Sequence, residues 1–341
     1  MSCKNRPTCQ NCPQMDHSIE TQQQEHVDYL RQFLQFPELT WQESPQNLHY
    51  RARITLRPNR EGALGYFKAK SHEHLAITEC PIAHQSINDC LKALPPLPFP
   101  AKSVELRSDG TNVVANILSS KGQRPTKEQM QKWAEGRLQG VGLDGQKMWG
   151  NCQSKITVAG VEHHLSLNSF YQVNLQINEL LVATILEWLS AHEGITQVLD
   201  LYCGAGNIGA AIAKSGIKVV GIDNAKSSIQ DGKNTIKRSH LPMELRLSNA
   251  DAFRAGDAFF NAVVLDPPRK GIQTVKKGQH LLSELNLTKP KAIFYVSCNP
   301  HALRSDLFLA KKLGYAPYQM RAFNMFPHTK HVETLVELRP I

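Results

Sequence analysis

The sequence lacks the features that mark membrane, secreted and repetitive proteins. Its 341 residues contain no apolar run close to the roughly 18–20 residues that cross a bilayer. Residues 1–6 are polar and lack the apolar core of a signal peptide. There is no internal repeat and no extended low-complexity tract. We therefore expect a cytoplasmic protein with no membrane partner.

Neither sign of charge is scarce, but the balance is basic. Lysine and arginine number 39 against 30 aspartate and glutamate, a net charge of +9. With 20% charged and 41% hydrophobic residues, the composition is that of a globular protein and excludes wholesale disorder. The excess of cations favours a polyanionic partner such as RNA, with an ordinary basic surface as the alternative. We predict no obligate protein partner.

The length corresponds to about two domains, and the pattern of predicted strands and helices changes near residue 160. In the first part, residues 50–57 alternate like a strand, and residues 104–107 and 113–118 flank an Asp-Gly turn typical of a hairpin. The second part alternates apolar strands with helices, which indicates a parallel sheet covered on both faces. We predict an α/β fold in which an α+β region over residues 1–160 precedes a doubly wound, Rossmann-like domain over residues 161–341.

A glycine-rich turn opens the predicted ligand site. Residues 204–209 read Gly-x-Gly-x-x-Gly after the strand at residues 197–201, and Asp223 ends the next strand, where an acid binds ribose hydroxyls. Nicotinamide and S-adenosylmethionine sites share both features, so the motif alone leaves a nicotinamide-dependent oxidoreductase open, as well as a turn that serves only packing. Asp200, just before the glycines, suits a cationic sulfonium better than a pyrophosphate.

Two further motifs follow strand ends, around Asp266 and Cys298. Carboxyl ends of parallel strands border the ligand crevice, so these two residues should converge there. With these motifs the sequence strongly resembles the S-adenosylmethionine-dependent RNA uridine-5-methyltransferase family, which makes 5-methyluridine in tRNA and 23S ribosomal RNA. The resemblance covers nearly the whole chain, and its segments are residues 169–174, 200–207, 266–269, 297–300 and 326–333.

The resemblance implies covalent catalysis, because carbon 5 of uracil is a weak nucleophile. A thiolate that adds to carbon 6 makes carbon 5 reactive, and a base later removes the carbon-5 proton. The resemblance assigns these roles to Cys298 and Glu333. A helix over residues 302–313 would favour the Cys298 thiolate through its N-terminus. A buried apolar cysteine and a solvated edge glutamate are the structural alternatives.

The resemblance also implies a set of residues that bind S-adenosylmethionine. Asp223 is expected to hold the ribose hydroxyls, and Asp266 to lie near the reacting centre. Asn249 is expected to meet the adenine, with Asp251 as the alternative. The full set is Gln172, Tyr202, Asn207, Asp223, Asn249 and Asp266.

Four of the eight cysteines form a pattern suited to a metal centre. Cys3, Cys9 and Cys12 have the spacing Cys-x5-Cys-x2-Cys, and Cys80 lies far downstream. Part of the family that the sequence resembles has this pattern and binds a [4Fe–4S] cluster, which we predict here. Thiolate-only ligation fits zinc equally well on chemical grounds, so zinc is the alternative. We expect the remaining cysteines to serve packing, apart from the proposed nucleophile: Cys90, Cys152 and Cys203.

The predicted substrate is RNA. Arg51, Arg53 and Arg57 share one face of a predicted strand, and guanidinium groups match phosphates. The cysteine pattern and the short segment before it most resemble the 23S ribosomal RNA branch, with tRNA as the second choice. A non-catalytic RNA-binding protein of the same fold is the alternative from another class, although it would need neither Cys298 nor Glu333. The target uridine must leave its stack, so we expect a loop target or base flipping.

Overall fold

A computed structural model describes residues 3–6, 8–120, 124–256, 259–273 and 280–341. Within these ranges the helices are α1 (Ile19–Leu34), α2 (Gln85–Ala93), α3 (Lys127–Ala134), α4 (Leu175–Ser190), α5 (Asn207–Lys214), α6 (Lys226–Ser239), α7 (Leu281–Thr288) and α8 (Pro300–Lys312). The strands of the first half are β1 (Thr40–Gln42), β2 (Arg53–Pro58), β3 (Leu64–Phe67), β4 (His74–Ala76), β5 (Ala101–Ser108), β6 (Val113–Ser119), β7 (Gly140–Leu143), β8 (Gln146–Gly150), β9 (Ser154–Val158) and β10 (Val161–Leu165). The remaining strands are β11 (Gln197–Leu201), β12 (Lys218–Asp223), β13 (Met243–Leu247), β14 (Ala262–Leu265), β15 (Ala292–Ser297), β16 (Tyr315–Phe323) and β17 (Glu333–Pro340).

The larger sheet has eight strands in the order β1-β16-β17-β15-β14-β11-β12-β13. Strands β11 to β15 run parallel to one another, whereas β17 is antiparallel to both of its neighbours. Val198 and Leu199, which follow each other on β11, belong to two different apolar cores. Successive side chains of a strand point to opposite faces, so the sheet is buried on both faces. The predicted doubly wound domain is confirmed.

The edge of this sheet is formed by a strand from the beginning of the chain. Strand β1 pairs in parallel with β16, so that Thr40 lies opposite Arg321 and Gln42 opposite Phe323. Helix α1, which precedes β1, packs against α8. The pairing of β1 was not predicted, because a three-residue strand carries no periodic signal.

The smaller sheet has the order β4-β3-β2-β5-β6-β7-β8, and its pairs are antiparallel except for β6 with β7. The alternation predicted for residues 50–57 is confirmed, since Ala52, Ile54 and Leu56 are all buried. The hairpin of β5 and β6 is also confirmed. Helices α2 and α3 cover the sheet and add Trp133, a fully buried side chain, to its core.

A two-stranded hairpin lies between the two sheets in sequence. Strands β9 and β10 pair with each other and pack on helices α4 and α6. Their turn, at Ala159 and Gly160, coincides with the domain boundary that the sequence analysis expects near residue 160. The boundary stays a prediction, because the paired strands lie on either side of it.

The segment before α4 joins the two sheets. Val173 O accepts a hydrogen bond from Ala52 N–H at 2.7 Å, and Tyr171 donates from Oη to Ser108 O at 3.0 Å. Asn174 caps α4 by accepting from Ile177 N–H, and its amide donates to Ser44 Oγ at 3.1 Å and to Met325 O at 3.4 Å. These hydrogen bonds fix the position of α4 relative to the larger sheet.

Most of the local predictions for the second half agree with the structure. Strand β11 has the predicted bounds, and α8 begins two residues earlier than expected. The three cysteines expected to serve packing are all buried. Throughout the described residues, no helix has both the length and the apolar character needed to span a membrane.

Replacing Asn174 with alanine should lower the free energy of unfolding by about 1–2 kcal/mol, because it removes a helix cap and two buried hydrogen bonds. Chemical denaturation measures the change. Asn234→Ala, at an exposed residue of α6, is the matched control and should change stability little. Equal stability of the two variants would contradict this role of Asn174.

Candidate active site

The glycine-rich turn begins where β11 ends. Tyr202, the first residue after β11, has a φ of 61°, and Gly204 follows with a φ of 56°. A side chain on Gly204 would meet no atom within 4 Å, so open space lies over this part of the turn. At Gly209, in contrast, a Cβ would come within 2.6 Å of Asp200 Oδ2, so only glycine fits there. The turn is therefore closed towards the sheet and open on the opposite side.

Two carboxylates hold the turn through backbone N–H groups. Asp200 is 1% exposed, and its Oδ2 accepts a hydrogen bond from Gly209 N–H at 3.0 Å. Asp223 accepts from Gly204 N–H at 2.9 Å and from Ala225 N–H at 2.7 Å. Among the described residues, Asp200 Oδ1 has no hydrogen-bond partner although it is buried.

A third carboxylate, Asp266, completes an acidic group at the carboxyl edge of the sheet. Burial, together with the charges of Asp266 and Asp223, raises the pKa of Asp200 to about 8, although the hydrogen bond from Gly209 N–H acts in the opposite direction. Burial and the charge of Asp223 likewise raise the pKa of Asp266 to about 7. Because each negative charge makes the next ionisation more costly, the group favours a cationic ligand.

The two residues considered for adenine binding differ in their contacts. Tyr202 donates from Oη to Asp251 Oδ1 at 2.5 Å, and the same oxygen accepts from Gln273 N–H at 2.8 Å. Asn249 is exposed. Its side chain accepts a hydrogen bond from the backbone N–H of Asp251 and thereby caps a short 3₁₀ helix. Asp251 rather than Asn249 is therefore bonded to the turn, and which of the two meets the adenine stays a prediction.

The two remaining predicted cofactor residues are Asn207, at the start of α5, and Gln172, three residues before the start of α4. Asn207, the first residue of α5, exchanges two amide hydrogen bonds with Asn178 of α4, at 2.8 and 3.0 Å. Gln172 is half-buried in the segment that joins the two sheets. The amide pair fixes α5 against α4 and thereby fixes the end of the glycine turn.

Cys298 lies between β15 and α8. Asn299 caps α8 by accepting from His301 N–H at 3.1 Å and donates to Arg269 O at 2.8 Å. Burial, and then the charges of Glu333 and Asp266, raise the pKa of Cys298 to about 11, although Arg269 acts in the opposite direction. The thiol lines a cavity of about 420 Å³ at the protein surface.

Glu333 begins β17 and is 3% exposed. Burial, followed by the charge of Asp266, raises the pKa of Glu333 well above its ordinary value. Thr334 lies opposite Ser297 in the pairing of β15 with β17, and β14 runs parallel beside β15, so Glu333, Cys298 and Asp266 stand at the same edge of the sheet. The predicted convergence of Asp266 and Cys298 is thus observed, and the alternative of a solvated edge glutamate is wrong.

The segment before Glu333 is held by residues from the start of the chain. His328 has a φ of 68°, and its N–H donates to Oε1 of the buried Gln22 at 2.8 Å. Tyr50 donates from Oη to Pro327 O at 3.1 Å, and Nε2 of His26 lies 3.1 Å from Thr329 O. These three contacts were not predicted, because they join residues about 300 positions apart.

The four cysteines of the predicted metal centre line one cavity of about 510 Å³. Burial, and then the charges of Cys80, Cys9 and Cys3, raise the pKa of Cys12 to about 12. Because all four line the same cavity, Cys80 is close to the others despite its distance in sequence. Within the described residues, no group of three metal-ligating side chains has the arrangement of a preformed metal-ion site.

The predicted arginine surface is more enclosed than expected. Arg51 and Arg53 line the cysteine cavity, and Arg53 lies over the ring of Phe170 at 4.8 Å. Arg57 donates from Nη1 to Lys102 O at 2.8 Å. The contact of these arginines with RNA stays a prediction, since two of the three face the cavity.

Comparison with known proteins agrees with this geometry. The model of the family described as tRNA (Uracil-5-)-methyltransferase matches residues 150–340. The chain belongs to this family.

Relatives within the family include enzymes named for ribosomal RNA. The 23S rRNA (uracil(1939)-C(5))-methyltransferase RlmD of Dichelobacter nodosus is 28% identical over 310 residues, which cover 84% of this chain and 70% of that protein. The protein of the same name from Haemophilus ducreyi is 28% identical over 98% of this chain and 79% of its own length. Among solved structures, the Pyrococcus abyssi tRNA (uracil-54, C5)-methyltransferase in complex with S-adenosyl-L-homocysteine superposes with a TM-score of 0.78 at 24% identity, covering 97% of this chain and 86% of that one.

Replacing Asp200 with asparagine should stabilise the protein at high pH. The folded protein holds the Asp200 proton up to about pH 8, whereas an exposed aspartate releases it near the ordinary value of 3.8. Stability contributed by this proton is therefore lost as pH rises through that interval. We expect Asp200→Asn to raise the free energy of unfolding by about 1–2 kcal/mol near pH 8.5 and by less near pH 5.

Chemical denaturation at the two pH values measures this change. Asp89→Asn, at an exposed residue of α2, removes the same charge elsewhere and should leave the pH dependence unaltered. A loss of stability in Asp200→Asn at both pH values would contradict the interpretation.

Proposed function

We propose that the protein transfers a methyl group from S-adenosylmethionine to carbon 5 of a uridine in 23S ribosomal RNA. Its family consists of S-adenosylmethionine-dependent RNA uracil-5-methyltransferases. The choice of 23S ribosomal RNA is supported by the two relatives that carry this substrate in their names and are similar over 84% and 98% of the chain. Transfer to tRNA is the alternative outcome of the experiment below.

The observation that carries the proposal is the common location of Cys298, Glu333 and Asp266. In the proposed mechanism the Cys298 thiol gives up its proton to solvent, its thiolate sulfur forms a bond to carbon 6 of uracil, and the electron pair of the double bond between carbons 5 and 6 moves towards carbon 5. S-adenosylmethionine, when bound, supplies the methyl group that carbon 5 takes up. Glu333 then accepts the carbon-5 proton, and the bond between carbon 6 and the Cys298 sulfur breaks. Its raised pKa makes the Glu333 carboxylate a stronger proton acceptor than an exposed glutamate would be.

The glycine turn fits S-adenosylmethionine in shape and in charge. Open space lies over Gly204, and the acidic group next to it includes a buried oxygen of Asp200 without a partner among the described residues. Both features suit a ligand that is cationic and carries hydrogen-bond donors. We propose that Asp223 binds hydroxyl groups of this ligand, and that Gln172, Tyr202, Asn207, Asn249 and Asp266 complete the site, with Asp251 as the alternative to Asn249.

We further propose that Cys3, Cys9, Cys12 and Cys80 bind a [4Fe–4S] cluster. All four line the same cavity, which an apolar group of Met15, Tyr50 and Ile82 adjoins. Thiolates together with an apolar surround suit iron–sulfur ligation, and zinc is the alternative ligand of four thiolates. Because Thr329 and His331 also line this cavity, the cluster would stand against the segment that precedes Glu333.

The function is tested by incubating the purified protein with radiolabelled S-adenosylmethionine and unmodified 23S ribosomal RNA or tRNA, followed by digestion to nucleosides. Label in 5-methyluridine from ribosomal RNA is the expected result. Cys298→Ala should lower methylation by at least about 10³-fold, since the nucleophile is lost. Glu333→Gln should instead accumulate an RNA adduct that resists denaturation, because the carbon-5 proton stays in place.

Two substitutions of the same type are the controls for these variants. Cys90→Ala removes a buried cysteine of the first half, and Glu244→Gln an exposed glutamate of β13. Both should methylate RNA at close to the normal rate. Methylation by Cys298→Ala, or normal turnover by Glu333→Gln, would contradict the mechanism. Absence of label in both RNAs with the native protein would favour a non-catalytic RNA-binding protein.

The cysteine site is tested by metal analysis of protein purified without oxygen. We expect iron and acid-labile sulfide in equal amounts and a brown colour. Cys12→Ala should lose most of the iron, because one thiolate ligand is missing. Cys90→Ala, which lies outside the cavity, should retain it. Colourless native protein with one zinc per chain would contradict the cluster.

A further inference from the structure

A strip of aromatic side chains runs along α1 and α8. Tyr29 and Phe33, one helical turn apart on α1, stack with ring centroids 5.3 Å apart. The ring of His301 on α8 meets Phe33 edge-on at 4.6 Å, and the guanidinium of Arg304 lies 4.8 Å from the centre of the Phe33 ring. We refer to Tyr29, Phe33, His301 and Arg304 as the aromatic strip.

One end of the aromatic strip forms part of the wall around Cys298. Tyr29 and His301 both line the cavity that contains Cys298. Oη of Tyr29 lies 3.4 Å from Nε2 of His301, so the two rings present polar atoms beside their apolar faces. The aromatic strip therefore continues directly from the candidate active site.

The Tyr29 side chain is not part of the hydrophobic core. The buried side chains beneath α1 and α8 include Leu30, Leu303 and Leu307. Tyr29 remains 43% exposed, although Val27 and Leu30 beside it on α1 are buried. A large ring left in contact with water next to a reactive cavity is available to a ligand.

The charges around the cavity favour a polyanion. Arg269, Lys330 and His331 are exposed and line the same cavity. Glu25 is the acid that lines it, and this carboxylate is bonded to Gln14 Nε2 at 3.0 Å and lies 3.5 Å from Nδ1 of His17. Asp28, the acidic neighbour of Tyr29, accepts two hydrogen bonds from Gln24, each at 2.8 Å. Nη2 of Arg269 lies 3.2 Å from Nδ1 of His331, and Lys330 is exposed at the rim, where a phosphate can reach it.

We propose that the aromatic strip binds an unpaired nucleobase of the RNA next to the target uridine. This inference rests on the proposed function. When a uridine leaves its stack to reach Cys298, the neighbouring base loses a stacking partner. The exposed ring of Tyr29 stacks on this neighbouring base in place of the lost partner. Arg304 and Lys330 lie beside it and contact the flanking phosphates. Stacking accepts any base, so the aromatic strip supports the unstacked conformation without reading its sequence.

A direct binding experiment tests the aromatic strip independently of methyl transfer. The probe is a fluorescein-labelled single-stranded RNA of about twelve nucleotides, within the range of known single-strand binding sites, that carries one uridine among adenosines. Tyr29→Ala should raise its dissociation constant about tenfold, the usual effect of removing one stacking ring. Tyr29→Phe keeps the ring and should stay within about twofold of the native protein.

A second exposed tyrosine provides the matched control. Tyr318 on β16 is 58% exposed and, like Phe33, packs against a guanidinium, that of Arg339. Tyr318→Ala should leave RNA affinity unchanged, because this ring lies outside the Cys298 cavity. The salt dependence gives another distinction: Lys330→Ala should reduce the slope of log affinity against log salt by about one, whereas Tyr29→Ala should leave it unaltered.

Methylation kinetics separate a failure of this inference from a failure of the proposed function. With 23S ribosomal RNA, Tyr29→Ala should raise KM about tenfold and keep kcat within about twofold. Methylation by the native protein combined with an unchanged affinity in Tyr29→Ala, or with an equal loss in Tyr318→Ala, would overturn the aromatic strip alone. Failure of the native protein to bind the probe at roughly 100 µM would overturn it as well. Loss of affinity in Tyr29→Ala without any methylation by the native protein would overturn the proposed function, and with it the target uridine.

Discussion

The carboxylates of Asp200, Asp223 and Asp266 stand at the ends of three neighbouring parallel strands, where burial and their own charges raise the pKa of Asp200 to about 8 and of Asp266 to about 7. Such an arrangement is unfavourable unless donors or cations compensate for it. The backbone supplies part of the compensation, since Gly209 and Gly204 donate N–H groups to Asp200 and Asp223. The shape of the glycine turn follows from this need, because its N–H groups must approach the carboxylates closely. The rest of the compensation is left to a ligand, which makes the site selective for positive charge.

The reactive end of the molecule depends on two kinds of support. Cys298 is held locally, by the end of β15 and by the Asn299 cap of α8. Glu333, in contrast, follows a segment that is fixed from a distance by Gln22 and Tyr50. Residues from the first fifty positions thus act as the scaffold for a side chain near the end of the chain. We therefore expect a substitution of Gln22 or Tyr50 to change the geometry at Glu333 without contacting the glycine turn or Cys298.

How much of this was predictable depends on the range of the interactions. Strand β11 is an apolar run of a few residues, and it has the predicted bounds. The convergence of Asp266 and Cys298 followed from the rule that strand ends meet at one edge of a parallel sheet. The bond between Gln22 and His328 spans 306 positions and leaves no local signal. The contact of Tyr202 with Asp251 rather than Asn249 depends on side-chain direction after a strand, which spacing does not specify. The enclosure of Arg53 was missed for the same reason, since Phe170 and the cysteines approach it from other parts of the chain.

The pairing of β1 with β16 also has a consequence for the order in which the protein can be completed. Thr40–Gln42 leaves the ribosome 281 residues before its partner Arg321–Phe323, a delay of about 15–55 s at ordinary rates of synthesis. During that time the exposed edge of β1 has no partner strand, and the cysteine cavity lacks the wall that Thr329 and His331 provide. The cysteine site at the beginning of the chain therefore needs residues near its end. Its assembly is a late event, coupled to completion of the eight-stranded sheet.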